Sequence, residues 1–195
     1  KSMNQVLNNS DIDMVNGKPE SLLGNFVSDL CLKMGHQIYV PADDKPIDFC
    51  VLNNGGLRTS LPKGEITRGK IFELMPFENE LVVVTLSGEK TLELLNYIAT
   101  EGGVPVSAIR MEIENNIAKN VFIHGKQFNP TISYKILTSD YLARGGDKMF
   151  FFADHLMYET VGIKMRDAII KYLEQEKDKG NIITSQLNQR IKNAK

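Results

Sequence analysis

The chain has 195 residues, which is enough for a single hydrophobic core. Its 23 lysines and arginines nearly balance 24 aspartates and glutamates, so no overall field draws it to a nucleic acid polymer or an anionic membrane. No apolar run approaches the roughly 20 residues that cross a bilayer, and the first residues, KSMNQ, lack the apolar segment of a signal peptide. We therefore expect no transmembrane segment, no signal peptide in this chain, and only local recognition of anions.

The first predicted helix begins near Pro19 and Glu20 and ends at Gly35. Proline suits the first turn of a helix, and a carboxylate suits its positive end. Apolar residues recur in between at helical spacing: Leu22, Leu23, Phe26, Val27, Leu30, Cys31 and Met34. Because Cys31 and Cys50 both fall within apolar runs, they are predicted to be buried free thiols.

The middle of the chain alternates predicted strands and helices. Residues 47–52 form a largely apolar run that predicts a buried strand. A turn at residues 61–67 then leads to a short helix, residues 68–74, which Thr67 can cap. The next predicted elements are a strand at residues 81–86, a helix capped by Ser87 and closed by Gly102 and Gly103, and a hairpin of residues 108–113 and 121–124 joined by residues 114–119.

The last third begins with a predicted strand at residues 132–137 and continues with a helix. This helix runs through Ala168, Ile169, Tyr172 and Leu173, and its charged end at residues 174–179 is expected to be solvated rather than a binding patch. A terminal helix is predicted near Ile191. The alternation of helical and extended patterns, without a repeat, predicts one domain of mixed helices and strands over residues 1–195.

Two glycine-containing loops each follow a predicted strand. The first is residues 53–58, NNGGLR, and the second is residues 141–147, YLARGGD. Glycine allows the backbone to approach a ligand, and each loop ends in a charged side chain. A single such loop is usually only a turn. Together they predict a small-molecule site that includes Asn53, Gly55, Gly56, Arg58, Tyr141, Gly145, Gly146 and Asp147.

An aromatic residue outside any apolar stripe extends this interpretation. Phe77 follows a proline in a polar turn, and Tyr141 opens the second loop, so the two rings can sandwich a flat heterocycle. Arg58 offers a charged fork for phosphate or carboxylate, and Asp147 offers acceptors for sugar hydroxyls. The pattern equally allows Phe77 to be a core residue and Arg58 to be an ordinary surface charge.

Familiar catalytic arrangements are not found in the sequence. There is no P-loop and no spaced dinucleotide-binding glycine pattern, and no Gly-x-Ser-x-Gly motif surrounds Ser139. The histidines, His36, His124 and His155, belong to no motif with the spacing of metal ligands. Glu78 and Glu80 are expected to be solvated rather than an acid and base pair. We therefore predict no catalytic residue, no metal ligand and no cofactor within this chain.

Five short motifs in series closely resemble the C-terminal domain of the 5'-nucleotidase and UDP-sugar hydrolase family. They are Leu23-Gly24-Asn25, the NNGGLR loop, Gly64-Glu65-Ile66-Thr67, Met75-Pro76-Phe77-Glu78-Asn79 and the YLARGGD loop. The resemblance implies an α+β fold, a single mixed-sheet domain that binds a nucleotide or nucleoside. It implies that Asn53 and Arg58 contact the ligand, that Phe77 and Tyr141 sandwich the base, and that Asp147 holds the ribose.

The resemblance also implies a partner. Family members join this domain to a metallophosphatase domain that binds divalent metals, and its motifs are not found here, so catalysis is expected from a separate domain or chain. The family resemblance alone predicts a periplasmic or cell-surface location. Three alternatives remain: the substrate-recognition domain of a 5'-nucleotidase, a free-standing nucleotide-binding protein, and a degenerate structural domain.

Three positions depart from the family pattern. Pro19 stands where an arginine is frequent, Asn54 where a third glycine is frequent, and Lys148 where glycine is common. The loss of an arginine at position 19 is expected to weaken binding or to shift anion recognition to Arg58 and Arg144.

Overall fold

The computed structural model describes residues 2–195 as one α+β domain with mixed sheets. The helices in this range are α1 (Leu22–Ile38), α2 (Arg68–Leu74), α3 (Gly88–Thr100), α4 (Asp140–Ala143) and α5 (Met165–Asp178). The strands are β1 (Val6–Ser10), β2 (Phe49–Val51), β3 (Gly64–Thr67), β4 (Glu80–Leu86), β5 (Val106–Ser107), β6 (Ile109–Glu114), β7 (Ile117–Ile123), β8 (Lys126–Gln127), β9 (Tyr134–Ser139), β10 (Met157–Lys164) and β11 (Ile191–Asn193).

The central sheet has five strands in the order β10-β4-β9-β2-β5. Strands β2 and β9 are parallel, with Cys50 opposite Leu137, whereas the other neighbours in this sheet are antiparallel. A second sheet has the order β11-β6-β7-β8, and β1 pairs with β3 in a two-stranded ribbon. Because the carboxyl ends of parallel strands meet at one edge of a sheet, β2 and β9 deliver the two glycine loops side by side.

The two faces of the central sheet form two hydrophobic clusters. On β4, Leu81 and Val83 face one cluster, which α1 and α5 cover. Val82 and Val84 face the other cluster, where α3 and the β6–β7 hairpin pack. This alternation follows the two-residue period of a strand, and burial on both faces explains why β4 is a nearly continuous apolar run.

Helix α1 begins later and ends later than predicted. Ser21 is its N-cap, and its hydroxyl accepts a hydrogen bond of 2.9 Å from the backbone N–H of Gly24. Gly35, predicted to end the helix, instead lies buried inside it. A Cβ at Gly35 would be 3.0 Å from Leu137 and 3.1 Å from Ile47, so this glycine permits close packing on the sheet rather than termination.

The predicted caps of the next two helices are confirmed. Thr67 caps α2 and Ser87 caps α3, each by accepting a hydrogen bond from the backbone N–H three residues later. Gly102 and Gly103 follow α3 with φ of 74° and 112°, the left-handed conformation that favours glycine at the end of a helix.

Several strand assignments differ from the prediction. The hairpin connection is only Asn115 and Asn116, because β6 and β7 pair up to Glu114 and Ile117. The segment near Ile191 is a strand parallel to β6 rather than a helix. The sequence pattern does not predict strands β1, β3 and β10, because each gains its backbone partners from a segment remote in sequence.

Candidate functional site

The first glycine loop leaves β2 as a single turn of 3-10 helix, Asn54–Gly56. Gly56 is required by close packing, because a Cβ there would lie 2.8 Å from the side-chain oxygen Oδ1 of Asn53. The backbone N–H of Arg58 donates a hydrogen bond of 3.0 Å to the carbonyl oxygen of Leu74, which ties the end of the loop to the end of α2. These contacts hold Asn53 and Arg58 in place within the loop.

Asn54 connects this loop to two other parts of the chain. Its Nδ2 donates a hydrogen bond of 3.0 Å to the carbonyl oxygen of Gly103, and its Oδ1 accepts one of 3.2 Å from Nδ2 of Asn16. The Oδ1 of Asn16 in turn accepts a hydrogen bond of 3.0 Å from the hydroxyl of Ser21. An asparagine at this position therefore ties the loop to the turn after α3 and to the start of α1.

The second glycine loop follows β9 through α4, which Ser139 caps. Gly145 has φ of 94°, and a Cβ at Gly146 would lie 2.6 Å from the Tyr141 ring, so both positions favour glycine strongly. Asp147 and Lys148 then adopt left-handed φ values of 53° and 63°. The loop thereby turns back so that Asp147 faces Tyr141.

The carboxylate of Asp147 joins the two loops. Its Oδ2 accepts a hydrogen bond of 2.7 Å from Nδ2 of Asn53, and its Oδ1 accepts one of 2.8 Å from the hydroxyl of Tyr141. The backbone carbonyl oxygen of Asp147 accepts a third, of 2.7 Å, from the hydroxyl of Tyr97. The bond to Asp147 raises the pKa of Tyr141, and burial raises the pKa of Tyr97 to about 12, so both hydroxyls are protonated donors at neutral pH.

Both candidate stacking rings are accessible. Phe77 is 40% exposed and Tyr141 is 45% exposed, so neither is a core residue. The guanidinium carbon of Arg58 lies 5.9 Å from the centre of the Phe77 ring, within the range of a cation–π contact. Arg58 therefore lies beside the aromatic surface rather than in isolation on the outside of the domain.

Arg166 of α5 holds the turn that presents Phe77. It is only 6% exposed, and its guanidinium lies 4.1 Å from the centre of the Phe72 ring. It donates hydrogen bonds of 3.3 Å and 3.4 Å to the carbonyl oxygens of Met75 and Phe77. No local sequence signal marks this role, because the contacts join positions 91 and 89 residues apart.

Glu78 is solvated as expected, with 60% of its side chain exposed, and it also has charged partners. Its carboxylate forms ion pairs with Lys164 and Arg166. Hydrogen bonds from these two side chains lower the pKa of Glu78 to about 2. Glu78 is therefore a carboxylate that fastens the Phe77 turn to β10 and α5, and the backbone N–H of Glu80 donates separately to Asp140.

The two loops and the Phe77 turn enclose a cleft of about 350 Å³. Its lining residues are Asn53, Gly55, Gly56, Arg58, Phe77, Asn79, Tyr141 and Asp147. The structure thus brings together at the cleft all the predicted site residues except Gly145 and Gly146, which shape the second loop behind Tyr141. Asn79 also lines the cleft. It is the last residue of the Met75–Asn79 motif but was not among the predicted site residues.

The other positions singled out in the sequence have structural roles elsewhere. Burial raises the pKa of Tyr158 and the neighbouring Arg144 lowers it, so this arginine lies beside Tyr158 and does not line the cleft. The carbonyl of Pro19 packs on Gly103, where a Cβ would lie 2.2 Å from its oxygen. Cys31 and Cys50 are buried free thiols as predicted, and burial raises the pKa of Cys31 to about 12.

The histidines do not assemble a metal site. The ring nitrogen Nδ1 of His155 lies 2.8 Å from the carbonyl oxygen of Phe152. Burial, and to a smaller extent the charge of the nearby His124, lowers the pKa of His36. Within residues 2–195, no group of three or more His, Cys, Asp or Glu side chains is placed to hold a metal ion. In the same range, no helix is long and apolar enough to cross a membrane.

A larger hollow, of about 650 Å³, lies away from the glycine loops. It is formed by α1, the β6–β7 hairpin and the C-terminal segment, and it includes Asp29, Arg110, Phe122 and Arg190. Asp29 and Arg190 are paired with each other at 2.7 Å. Because these two charges are already paired within the protein, they are less available to a ligand. The polar groups of the smaller cleft are therefore the better candidates for ligand binding.

The fold is that of a nucleotidase-type C-terminal domain. Residues 4–154 match the family described as "5'-nucleotidase, C-terminal domain", and the chain belongs to this family. The match confirms the resemblance seen in the five sequence motifs.

Curated relatives support the same assignment. A 5'-nucleotidase of Vibrio parahaemolyticus is 34% identical over 132 residues, which cover 65% of this chain and 24% of that protein. The cell wall protein Lmo0130 of Listeria monocytogenes is 28% identical over 184 residues, which cover 86% of this chain and 23% of that protein. The chain therefore spans about a quarter of the length of these relatives.

Solved structures share the fold. A 5'-nucleotidase precursor from Thermus thermophilus superposes with a TM-score of 0.82 at 24% sequence identity, covering 98% of this chain and 40% of that chain. An NAD nucleotidase from Haemophilus influenzae superposes with a TM-score of 0.75 at 14% identity, covering 99% of this chain and 39% of that chain. At these identities the likeness establishes the fold.

Proposed function

We propose that this domain recognises a nucleotide or nucleoside for a 5'-nucleotidase-type hydrolase. The observation that carries the proposal is the meeting of Asn53, Tyr141 and Asp147 in one hydrogen-bonded group at the cleft. The Tyr141 ring of this group, the second accessible ring at Phe77 and the guanidinium of Arg58 all line the same cleft. An aromatic surface, a carboxylate and a guanidinium are the chemical partners of a base, a ribose and a phosphate respectively.

The base is proposed to stack between Phe77 and Tyr141. Stacking on an aromatic side chain contributes roughly 1–3 kcal/mol per base and tolerates different bases because each has a π-face. The exposure of both rings is consistent with this role, because a ligand would cover apolar surface that is now in contact with water.

The sugar and the phosphate are proposed to bind to different charged groups. The Asp147 carboxylate has about four lone-pair positions and uses two of them for Asn53 and Tyr141, which leaves acceptors for ribose hydroxyls. Arg58 offers a planar fork of donors, the geometry that suits phosphate. Asn79 also lines the cleft and adds an amide to its polar groups.

Hydrolysis is proposed to occur at a metallophosphatase domain or chain outside these residues. Divalent metals there would activate water and neutralise the charge that develops on phosphate. Relatives with names that indicate nucleotide chemistry include the apyrase of Tabanus yao and the trifunctional nucleotide phosphoesterase protein YfkN of Bacillus subtilis. The Listeria cell wall protein supports a periplasmic or cell-surface location for the whole protein.

Titration calorimetry of the purified chain with AMP and adenosine tests the proposal. We expect weak but saturable binding of both, because any partner domain that would cover the cleft is absent from the experiment. No heat of binding with any purine or pyrimidine nucleotide at millimolar concentration would contradict the proposal and favour a structural role for the domain.

A further inference from the structure

Tyr97 contacts the second glycine loop from outside the cleft. It lies on α3, and its ring meets the edge of Phe151 with a centroid distance of 5.7 Å and an interplanar angle of 71°. Its hydroxyl donates a hydrogen bond of 2.7 Å to the backbone carbonyl oxygen of Asp147. The ring contact and the hydrogen bond together fix where this carbonyl lies.

The loop needs such support because its backbone is unusual. Asp147 and Lys148 are consecutive non-glycine residues with φ of 53° and 63°. The left-handed region is uncommon for non-glycine residues and is strained for a lysine, so surrounding contacts help to hold this backbone. The Tyr97 hydroxyl bonds to the carbonyl at the first of these two residues, which is the one whose carboxylate faces the cleft.

Helix α3 also supports the first loop through the turn that follows it. The side chain of Asn54 donates its hydrogen bond of 3.0 Å to the carbonyl oxygen of Gly103. The helix and its closing turn are therefore bonded to both loops, at Tyr97 and at Gly103. This shared support fixes the distance between the two loops. Across that distance, Nδ2 of Asn53 donates its hydrogen bond of 2.7 Å to Oδ2 of Asp147.

We infer that Tyr97 is a positioning residue that aims the Asp147 carboxylate and thereby sets the preference of the cleft for a ribose with free hydroxyls. The inference rests on the proposed nucleoside binding. Without the Tyr97 hydroxyl, the Asp147 carbonyl loses its donor, and Asn53 and Tyr141 then hold the carboxylate on a backbone that is less constrained. Phe77 is held by the contacts of Arg166 with its turn, and the Tyr141 ring also packs closely on Gly146, so the base contribution is retained.

The test compares adenosine with 2',3'-dideoxyadenosine as calorimetric ligands for the wild-type chain and for Tyr97→Phe. We expect the wild-type chain to prefer adenosine by about tenfold or more, because hydrogen bonds to a charged group are strong. In Tyr97→Phe this ratio should fall towards one, through weaker binding of adenosine and nearly unchanged binding of the dideoxynucleoside.

Tyr134→Phe is the matched control, because the Tyr134 hydroxyl also bonds the backbone, at Asn129, but lies outside the cleft. This variant should keep the wild-type ratio. An unchanged ratio in folded Tyr97→Phe would overturn the inference and leave nucleoside binding intact. An equal loss of affinity for both ligands would also overturn it, because a general loosening of the domain does not discriminate between sugars. Absence of binding to the wild-type chain would instead contradict the proposed function.

Discussion

Asn53 and Asp147, which are 94 residues apart in sequence, are joined by a hydrogen bond of 2.7 Å between an amide nitrogen and a carboxylate oxygen. The bond connects the loops that follow two parallel strands, so it reports directly on whether the two loops are correctly placed. It also orients the carboxylate before any ligand arrives, which reduces the ordering that binding requires.

Asn53→Asp should convert this attraction into a repulsion. Two neighbouring carboxylates cannot both ionise easily, so one of them gains a raised pKa. We expect adenosine to bind the variant more weakly at neutral pH than at mildly acidic pH, whereas the wild-type chain shows a smaller change. Calorimetry at the two pH values checks this, and an affinity that is independent of pH in the variant would argue against close contact between these positions.

Phe77→Ala should weaken nucleoside binding by roughly 1–3 kcal/mol, the contribution of one stacked base. The measurement is the dissociation constant for adenosine. Phe122→Ala is a suitable control, because Phe122 is a similarly exposed ring that lies on the hairpin beside the larger hollow. If Phe122→Ala weakened binding and Phe77→Ala did not, the ligand would occupy the larger hollow instead.

Arg58→Ala should weaken binding of AMP more than binding of adenosine, because the guanidinium is proposed to contact the phosphate. Arg58→Lys retains the charge but not the planar fork, so it should recover only part of the AMP affinity. Arg144→Ala provides the control, since this arginine lies beside Tyr158 and outside the cleft lining. Equal losses for AMP and adenosine in Arg58→Ala would mean that the arginine contacts the nucleoside or shapes the loop.

The chain by itself should release no phosphate from AMP or a UDP-sugar, even with Mn²⁺, Zn²⁺ or Co²⁺ supplied. Metal-assisted hydrolysis requires a metal held by several ligands, and binding a substrate without an activated nucleophile gives little acceleration. A colorimetric phosphate assay measures the outcome. Turnover that survives purification and is lost in Asp147→Ala would contradict this expectation, whereas activity that appears on adding a metallophosphatase chain would support it.

Glu78→Gln should destabilise the domain in a pH-dependent manner. The pKa of Glu78 is lowered from 4.5 to about 2, so its carboxylate contributes stability that is present above pH 4.5 and is lost as the pH falls towards 2. The difference in free energy of unfolding between wild type and variant should therefore shrink across that range. Denaturant titrations at several pH values measure it, with Glu80→Gln as the neighbouring control. A difference that does not vary with pH would show that the ion pairs with Lys164 and Arg166 are not responsible.

Local chemistry determines the parts of this domain that could be predicted from the sequence. Thr67 and Ser87 cap helices where their hydroxyls reach a nearby N–H, and the glycine loops follow strands as expected. Parts that depend on remote partners were not predictable from one sequence. Strand β11 takes its conformation from β6, and Gly35 lies inside α1, where the absence of a side chain leaves room for Leu137.

The same distinction applies to the candidate site. Phe77 and Asp147 could be chosen because an aromatic ring in a polar turn and a carboxylate after paired glycines are visible in the sequence. The supports for those residues, Tyr97 and Arg166, look like ordinary residues of amphipathic helices. Their roles depend on which backbone carbonyls the fold brings to them, at Asp147 and at the Phe77 turn.

The position of Arg166 has a consequence for how this domain can be divided. The family match ends at residue 154, whereas Arg166, which donates hydrogen bonds to the Phe77 turn, belongs to α5 beyond that boundary. The same later segment supplies β10, which pairs with β4 along the edge of the central sheet. The stretch that the family model matches is therefore shorter than the unit that packs together. Removing the residues after 154 would expose the edge of β4 and one face of the core. Exposed strand edges and apolar surfaces of this kind promote aggregation.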